Sequence, residues 1–97
     1  MYKLFISPQT YNDLEIIYEF TLSNWGYKQA EKYQDDIYDP FISISENPEI
    51  GSIYIFKKGD YRKLNCNKHL ILNRIQKKKC LIIRVLHERL DLVKHMD

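Results

Sequence analysis

The side chains best equipped for chemistry gather in the last third of the sequence: Arg62, His69, Arg74, Arg84, His87, Arg89 and His95. Cleaving RNA without a metal takes a base for the 2′-hydroxyl, an acid for the leaving oxygen and cations on the phosphate. Histidine and arginine are those types, with Arg62 and Arg84 on phosphate and His87 as acid or base. Spacing alone does not bring them together. Each also has a plainer use, since His69 and His87 suit strand ends and arginines on a sheet face are often simply solvated. One absence weighs against RNA cleavage. After Tyr61 the sequence has no Phe, Trp or Tyr, so the basic strands and tail offer no ring for a splayed base. Tyr54, Phe56 and Tyr61 remain, and a core has first claim on them.

A zinc site is the other chemistry to weigh. Cys66-x2-His69 and Cys80-x6-His87 supply two sulfurs and two imidazoles. Structural zinc prefers compact ligand pairs on knuckles or helical turns, whereas three of these four residues fall within or at the ends of strands, which disfavours zinc. Both cysteines are read as reduced, because small secreted domains use denser disulfide patterns. No cofactor, metal or small-molecule ligand is expected.

The 97 residues suit one domain over residues 1–97, with 44% hydrophobic residues for a modest core. No apolar run is long enough to span a bilayer, and the start lacks the pattern of a secretory signal, so a cytoplasmic protein is expected. The net charge of +2 hides an uneven split. Residues 1–56 hold three basic and nine acidic side chains, and residues 57–97 hold twelve basic and four acidic. The second half therefore faces an anionic partner, or the two halves neutralise each other across the fold.

The elements that must position these groups follow from period and punctuation. Tyr2, Leu4 and Ile6 alternate as a first strand that stops at Ser7-Pro8, a strong helix start. Tyr11, Leu14, Tyr18, Leu22 and Trp25, widened by Ile17 and Thr21, form the apolar stripe of a helix ended by Gly26. Ala30, Tyr33, Ile37, Phe41 and Ile44 form a second stripe, in which Pro40 should kink the helix or restart it after Asp39. Asn47-Pro48 closes it. Residues 52–56, 61–65, 69–75 and 80–86 then read as short strands. The expected class is α+β: an N-terminal strand, an antiparallel helical hairpin, then three or four antiparallel strands in one twisted sheet, its second face open and basic. In the last hairpin a two-residue turn at Lys77-Lys78 separates Arg74 from Arg84, while a three-residue turn unites them on one face.

Several stretches, in order along nearly the whole chain, resemble the ParE toxins of the RelE/ParE superfamily. They are S-P-x-x-x-x-D-L-x-x-I from Ser7, W-G-x-x-Q-A-x-x-Y from Trp25, N-P-x-I-G from Asn47, Y-R-K-L from Tyr61, H-L-I-L-N-R-I from His69 and I-I-R-V-L-H-E-R-L-D from Ile82. Asn73 stands where ParE-like sequences often carry an aromatic. The resemblance implies the toxin of a bacterial type II toxin-antitoxin system, held inactive by a cognate antitoxin whose C-terminal segment wraps around it. ParE-like toxins poison DNA gyrase and block replication, while RelE-like relatives cut mRNA on the ribosome. The tail Val85-Leu86-His87 with no tyrosine after it follows the ParE pattern.

The first expectation is therefore a non-enzymatic gyrase inhibitor that contacts its target through Arg62, Arg84, His87 and Arg89, with Leu90, Leu92 and Met96 supporting the tail. The alternative is a ribosome-dependent nuclease using Arg62, Arg84 and His87. A third is a degenerate toxin kept for antitoxin binding. The antitoxin is expected at Ile16, Phe20 and Ile42, residues off the main stripes, and at Arg74 on the basic sheet face.

Overall fold

A computed structural model describes residues 2–56 and 59–88. Its elements are β1 (Lys3–Ile6), α1 (Pro8–Trp25), α2 (Tyr27–Glu46), β2 (Ser52–Phe56), β3 (Gly59–Cys66), β4 (His69–Gln76) and β5 (Lys79–His87). The α+β order matches the sequence expectation. One sheet has the strand order β1-β5-β4-β3-β2. Strands β2 to β5 pair antiparallel with their chain neighbours, while β1 joins β5 in parallel, Lys3 opposite Lys79 and Ile6 opposite Ile82.

The helix limits have local causes. Ser7 Oγ accepts the Thr10 N–H at 3.0 Å and Pro8 takes the first helical position, where a missing N–H costs nothing. Gly26, at φ +91°, ends α1 and starts α2 by itself, a backbone conformation that side chains with a Cβ rarely adopt.

Pro40 does not restart the helix, one of the two outcomes the sequence allowed, because α2 runs from Tyr27 to Glu46 with Pro40 inside it. Proline has no N–H for the Asp36 carbonyl four residues earlier. The Cys66 thiol on β3 lies 3.4 Å from that oxygen and donates to it. Burial, with Asp36 and Asp39 nearby, pushes this thiol up and keeps it a donor. The sheet thus supplies the hydrogen bond that proline withholds.

The core joins Leu14, Ile37, Phe41 and Ile44 of the helices to Ile71, Cys80, Ile82 and Val85 of the sheet. Along α2 the expected stripe is the buried one. Along α1 it is so only in part: Leu14 and Thr21 are buried as expected, but so are Thr10 and Asp13, while Tyr11, Leu22 and Trp25 are exposed. The reason is a β-bulge. Asn73 pairs with Ile82 but the next residue, Leu72, pairs with Arg84, so β5 holds one extra residue, Ile83. Its backbone there serves α1. Ser7 N–H and the Thr10 hydroxyl donate to the Ile82 carbonyl, the Ser7 hydroxyl donates to the Ile83 carbonyl, and Asp13 accepts the Val85 N–H, all within 3.1 Å. Polar side chains on the buried side of α1 are the cost of satisfying this irregular strand.

The sheet face away from the helices is not uniformly open, as the sequence suggested. Leu72 alternates with helix-facing Ile71 and Asn73, yet it is fully buried, so the centre of that face is closed to water.

Candidate functional site

The three described arginines of the expected basic site part company. Arg84 forms a fork-to-fork pair with Asp13, Nε to Oδ2 and Nη2 to Oδ1, both at 2.8 Å. Asp13 is buried, and its hydrogen bonds hold the Arg84 guanidinium even further above neutral pH than usual. Arg62 points to the helical side and donates to the main-chain carbonyls of Glu49 at 3.2 Å and Gly51 at 3.0 Å. Arg74 lies on the other face, 5.3 Å from the centre of the Tyr61 ring. The turn at Lys77-Lys78 has two residues, but the bulge at Ile83 shifts the register beyond it, and Arg84, opposite Leu72, is drawn to Asp13 of α1 while Arg74 rests on Tyr61. Arg89 and the tail residues Leu90, Leu92 and Met96 lie outside the described residues.

The histidines do converge. His69 and His87 face each other across β4 and β5 with ring centres 5.4 Å apart, edge to face. Tyr33 of α2 reaches down to them, its hydroxyl 2.6 Å from His69 Nδ1. Burial first, and then His87, push His69 below the ordinary histidine value, while burial pushes the Tyr33 phenol up. Both groups are therefore neutral at pH 7. The sequence placed the histidines at strand ends, and it held no local sign of the tyrosine, which is 36 residues away from His69.

The four residues weighed for zinc divide. Cys66 sits beside His69 in register but spends its thiol on Asp36. Cys80 is in the core against Asn73. Among the described residues no group of three His, Cys, Asp or Glu could hold a metal. Asn73 itself is fully buried, and its amide donates to the Pro48 carbonyl at 3.2 Å, tying the loop after α2 to the middle of the sheet.

Above the histidines runs an apolar groove of about 950 Å³. Ile16, Ile17, Phe20 and Trp25 of α1 form one wall, and Val85 and His87 of β5 line the other. Ile16, Phe20 and Trp25 are 57%, 65% and 72% exposed, a ridge of apolar surface that water alone does not explain. Ile16 and Phe20 thus stand together as expected. Ile42, though exposed, and Arg74 are not among the lining residues. Trp25 was missed because the sequence stripe assigned it to the core.

With this geometry in place, comparison with known proteins is specific. A family described as "ParE toxin of type II toxin-antitoxin system, parDE" matches residues 4–92. The chain belongs to the ParE toxin family. Like others of that family it is the toxin component of a type II toxin-antitoxin system. It is 30% identical over 95 residues to Toxin ParE1 of Mycobacterium tuberculosis, covering 97% of each chain. It is 26% identical over 91 residues to Toxin ParE1 of Caulobacter vibrioides, covering 94% of each. The fold is similar to a solved chain of the chromosomal ParDE system of P. aeruginosa, with a TM-score of 0.79 at 21% identity over 90% of this chain and 96% of that one. In this ParE-family chain the motif residues make separate ties to the sheet: Asp13 to Arg84, Tyr33 to His69, and Asn73 to the loop after α2.

Proposed function

We propose that this ParE-family toxin acts as one domain in the cytoplasm and catalyses no reaction itself. It binds DNA gyrase, holds the enzyme in its cleaved-DNA state and so blocks replication. The observation that carries this reading is the Asp13–Arg84 pair. A nuclease needs a guanidinium free to take phosphate, whereas Arg84 gives two donors to one buried carboxylate and Arg62 is committed to main-chain carbonyls. Cutting of mRNA on the ribosome is the less favoured reading for that reason. Target contact then falls to His87 at the rim of the groove and to Arg89, with Arg62 and Arg84 shaping the surface from behind. Neutralisation is by a protein antitoxin, whose amphipathic helix lays its apolar side into the groove along α1. The P. aeruginosa neighbour comes from a chromosomal ParDE toxin-antitoxin system, which supports such a partner.

The test uses purified toxin with gyrase, supercoiled plasmid and ATP. Linear, protein-linked plasmid is the expected product, and adding antitoxin abolishes it. Codon-positioned cuts in a translating extract, with gyrase indifferent, would sink the proposal.

A further inference from the structure

The sheet face turned away from the helices is used by none of the above. Register lines up one row across all five strands. Phe5 of β1 lies opposite Leu81, Leu81 opposite Arg74, and Tyr61 opposite Tyr54 of β2, with the Arg74 guanidinium bridging the middle by resting on Tyr61. Cations border the other rings. Lys3 and Lys79 stand 5.5 and 5.3 Å from the centre of Phe5, and Lys63 stands 5.4 Å from Tyr54.

These four cations, Lys3, Lys63, Arg74 and Lys79, are not in the ion pairs of the described residues, which join Lys32 to Asp36, Arg62 to Glu49 and Arg84 to Asp13. By strand alternation the described strands put no Asp or Glu on this face, because Asp60, opposite Ile55, shares the helical side. The row is also accessible. Phe5 is exposed, and Leu81, Arg74, Tyr61 and Tyr54 are half-buried, unlike Leu72 in the closed centre.

An acidic peptide would use the cations and leave the rings idle. A duplex would do the same, since its bases are already stacked. Rings set along a row of four interstrand steps, about 19 Å, with Arg74 among them and lysines at their borders, offer stacking partners for bases and counter-charges for phosphates side by side, as a single strand requires. We infer that this face binds single-stranded DNA, phosphates on Lys3, Lys63, Arg74 and Lys79, bases against Phe5, Tyr61 and Tyr54. Arg74, laid flat on Tyr61, adds a second plane on which a base stacks. The choice of DNA over RNA rests on the gyrase reading above.

Fluorescence anisotropy of the full chain with a labelled oligothymidylate of about 12 nucleotides, with no gyrase present, tests this. Binding is expected to weaken about 50-fold between about 50 and about 200 mM salt, as four phosphate contacts on a single strand require. Lys63→Glu with Arg74→Glu should weaken it at least about tenfold, Tyr61→Leu should weaken it with charge unchanged, and Lys32→Glu on α2 should change nothing. If the double variant fails to fold by circular dichroism, Lys3→Glu with Lys79→Glu at the sheet edge takes its place. The inference is overturned by absence of binding at the lower salt, by face variants that bind like the unaltered chain, by duplex bound as tightly, by RNA bound more tightly, or by polyglutamate displacing the strand at equal charge. Gyrase-dependent plasmid cleavage by a chain that binds no single strand overturns this inference alone, and single-strand binding without gyrase cleavage overturns only the gyrase reading.

Discussion

Asp13 is the residue on which most of the helix-to-sheet joint converges: it binds both forks of Arg84 and the Val85 N–H. Removing one partner of a buried pair leaves the other charge uncompensated. Asp13→Ala is expected to cost roughly 3 kcal/mol in urea unfolding, and Asp13→Leu with Arg84→Met should recover part of that loss. His69 makes a different prediction. Its pKa is lowered by burial and by His87, so as the pH falls through the ordinary histidine range near 6.5 the unfolded chain takes up a proton that the folded chain does not. Stability from this group is whole above that range and is lost below it. The melting temperature should therefore fall between about pH 7.5 and about pH 5.5, and His69→Gln should flatten that part of the curve. In the sequence Asp13 was visible only as a motif letter. Its partner is 71 residues away, and no local pattern tells a carboxylate that will be buried from one that will be solvated.

At the scale of elements, caps and periods were legible because their causes are local: Ser7-Pro8, Gly26 and the stripe of α2 act within a turn or two. The bulge and the intact helix through Pro40 were not, since each depends on a neighbour far along the chain. The pairing of Pro40 with Cys66 can be tested as a coupling. Cys66→Ala leaves the Asp36 carbonyl without its donor and should cost about 1 to 3 kcal/mol. In a Pro40→Ala background the helix regains its own N–H for that carbonyl, so the same substitution should cost less by about 1 kcal/mol, read as the interaction energy of a double-mutant cycle. The α1 stripe failed in part for the opposite reason: Thr10 and Asp13 are buried to serve β5, which leaves Tyr11, Leu22 and Trp25 of the expected stripe at the surface.

At the scale of the molecule, the charge split seen in the sequence becomes two sides, acidic helices on one and, among the described strands, a face with no Asp or Glu on the other. The apolar ridge of α1 lies between them in function as well as in place. Phe20→Asp should weaken antitoxin binding by at least about 2 kcal/mol, roughly 30-fold by calorimetry, while Ile42→Asp, outside the groove, should leave it unchanged. The strand order carries one more consequence. β5, the last of the described strands along the chain, is an interior strand of the sheet, and both β1 and α1 rest on it. A chain cut short at Lys78 keeps the helical hairpin and β2 to β4 but leaves β1 and α1 without the strand they rest on, and Asp13 without Arg84. Such a product is expected to be a substrate for proteases rather than a weakened poison, so the hazard to the cell arrives only with β5.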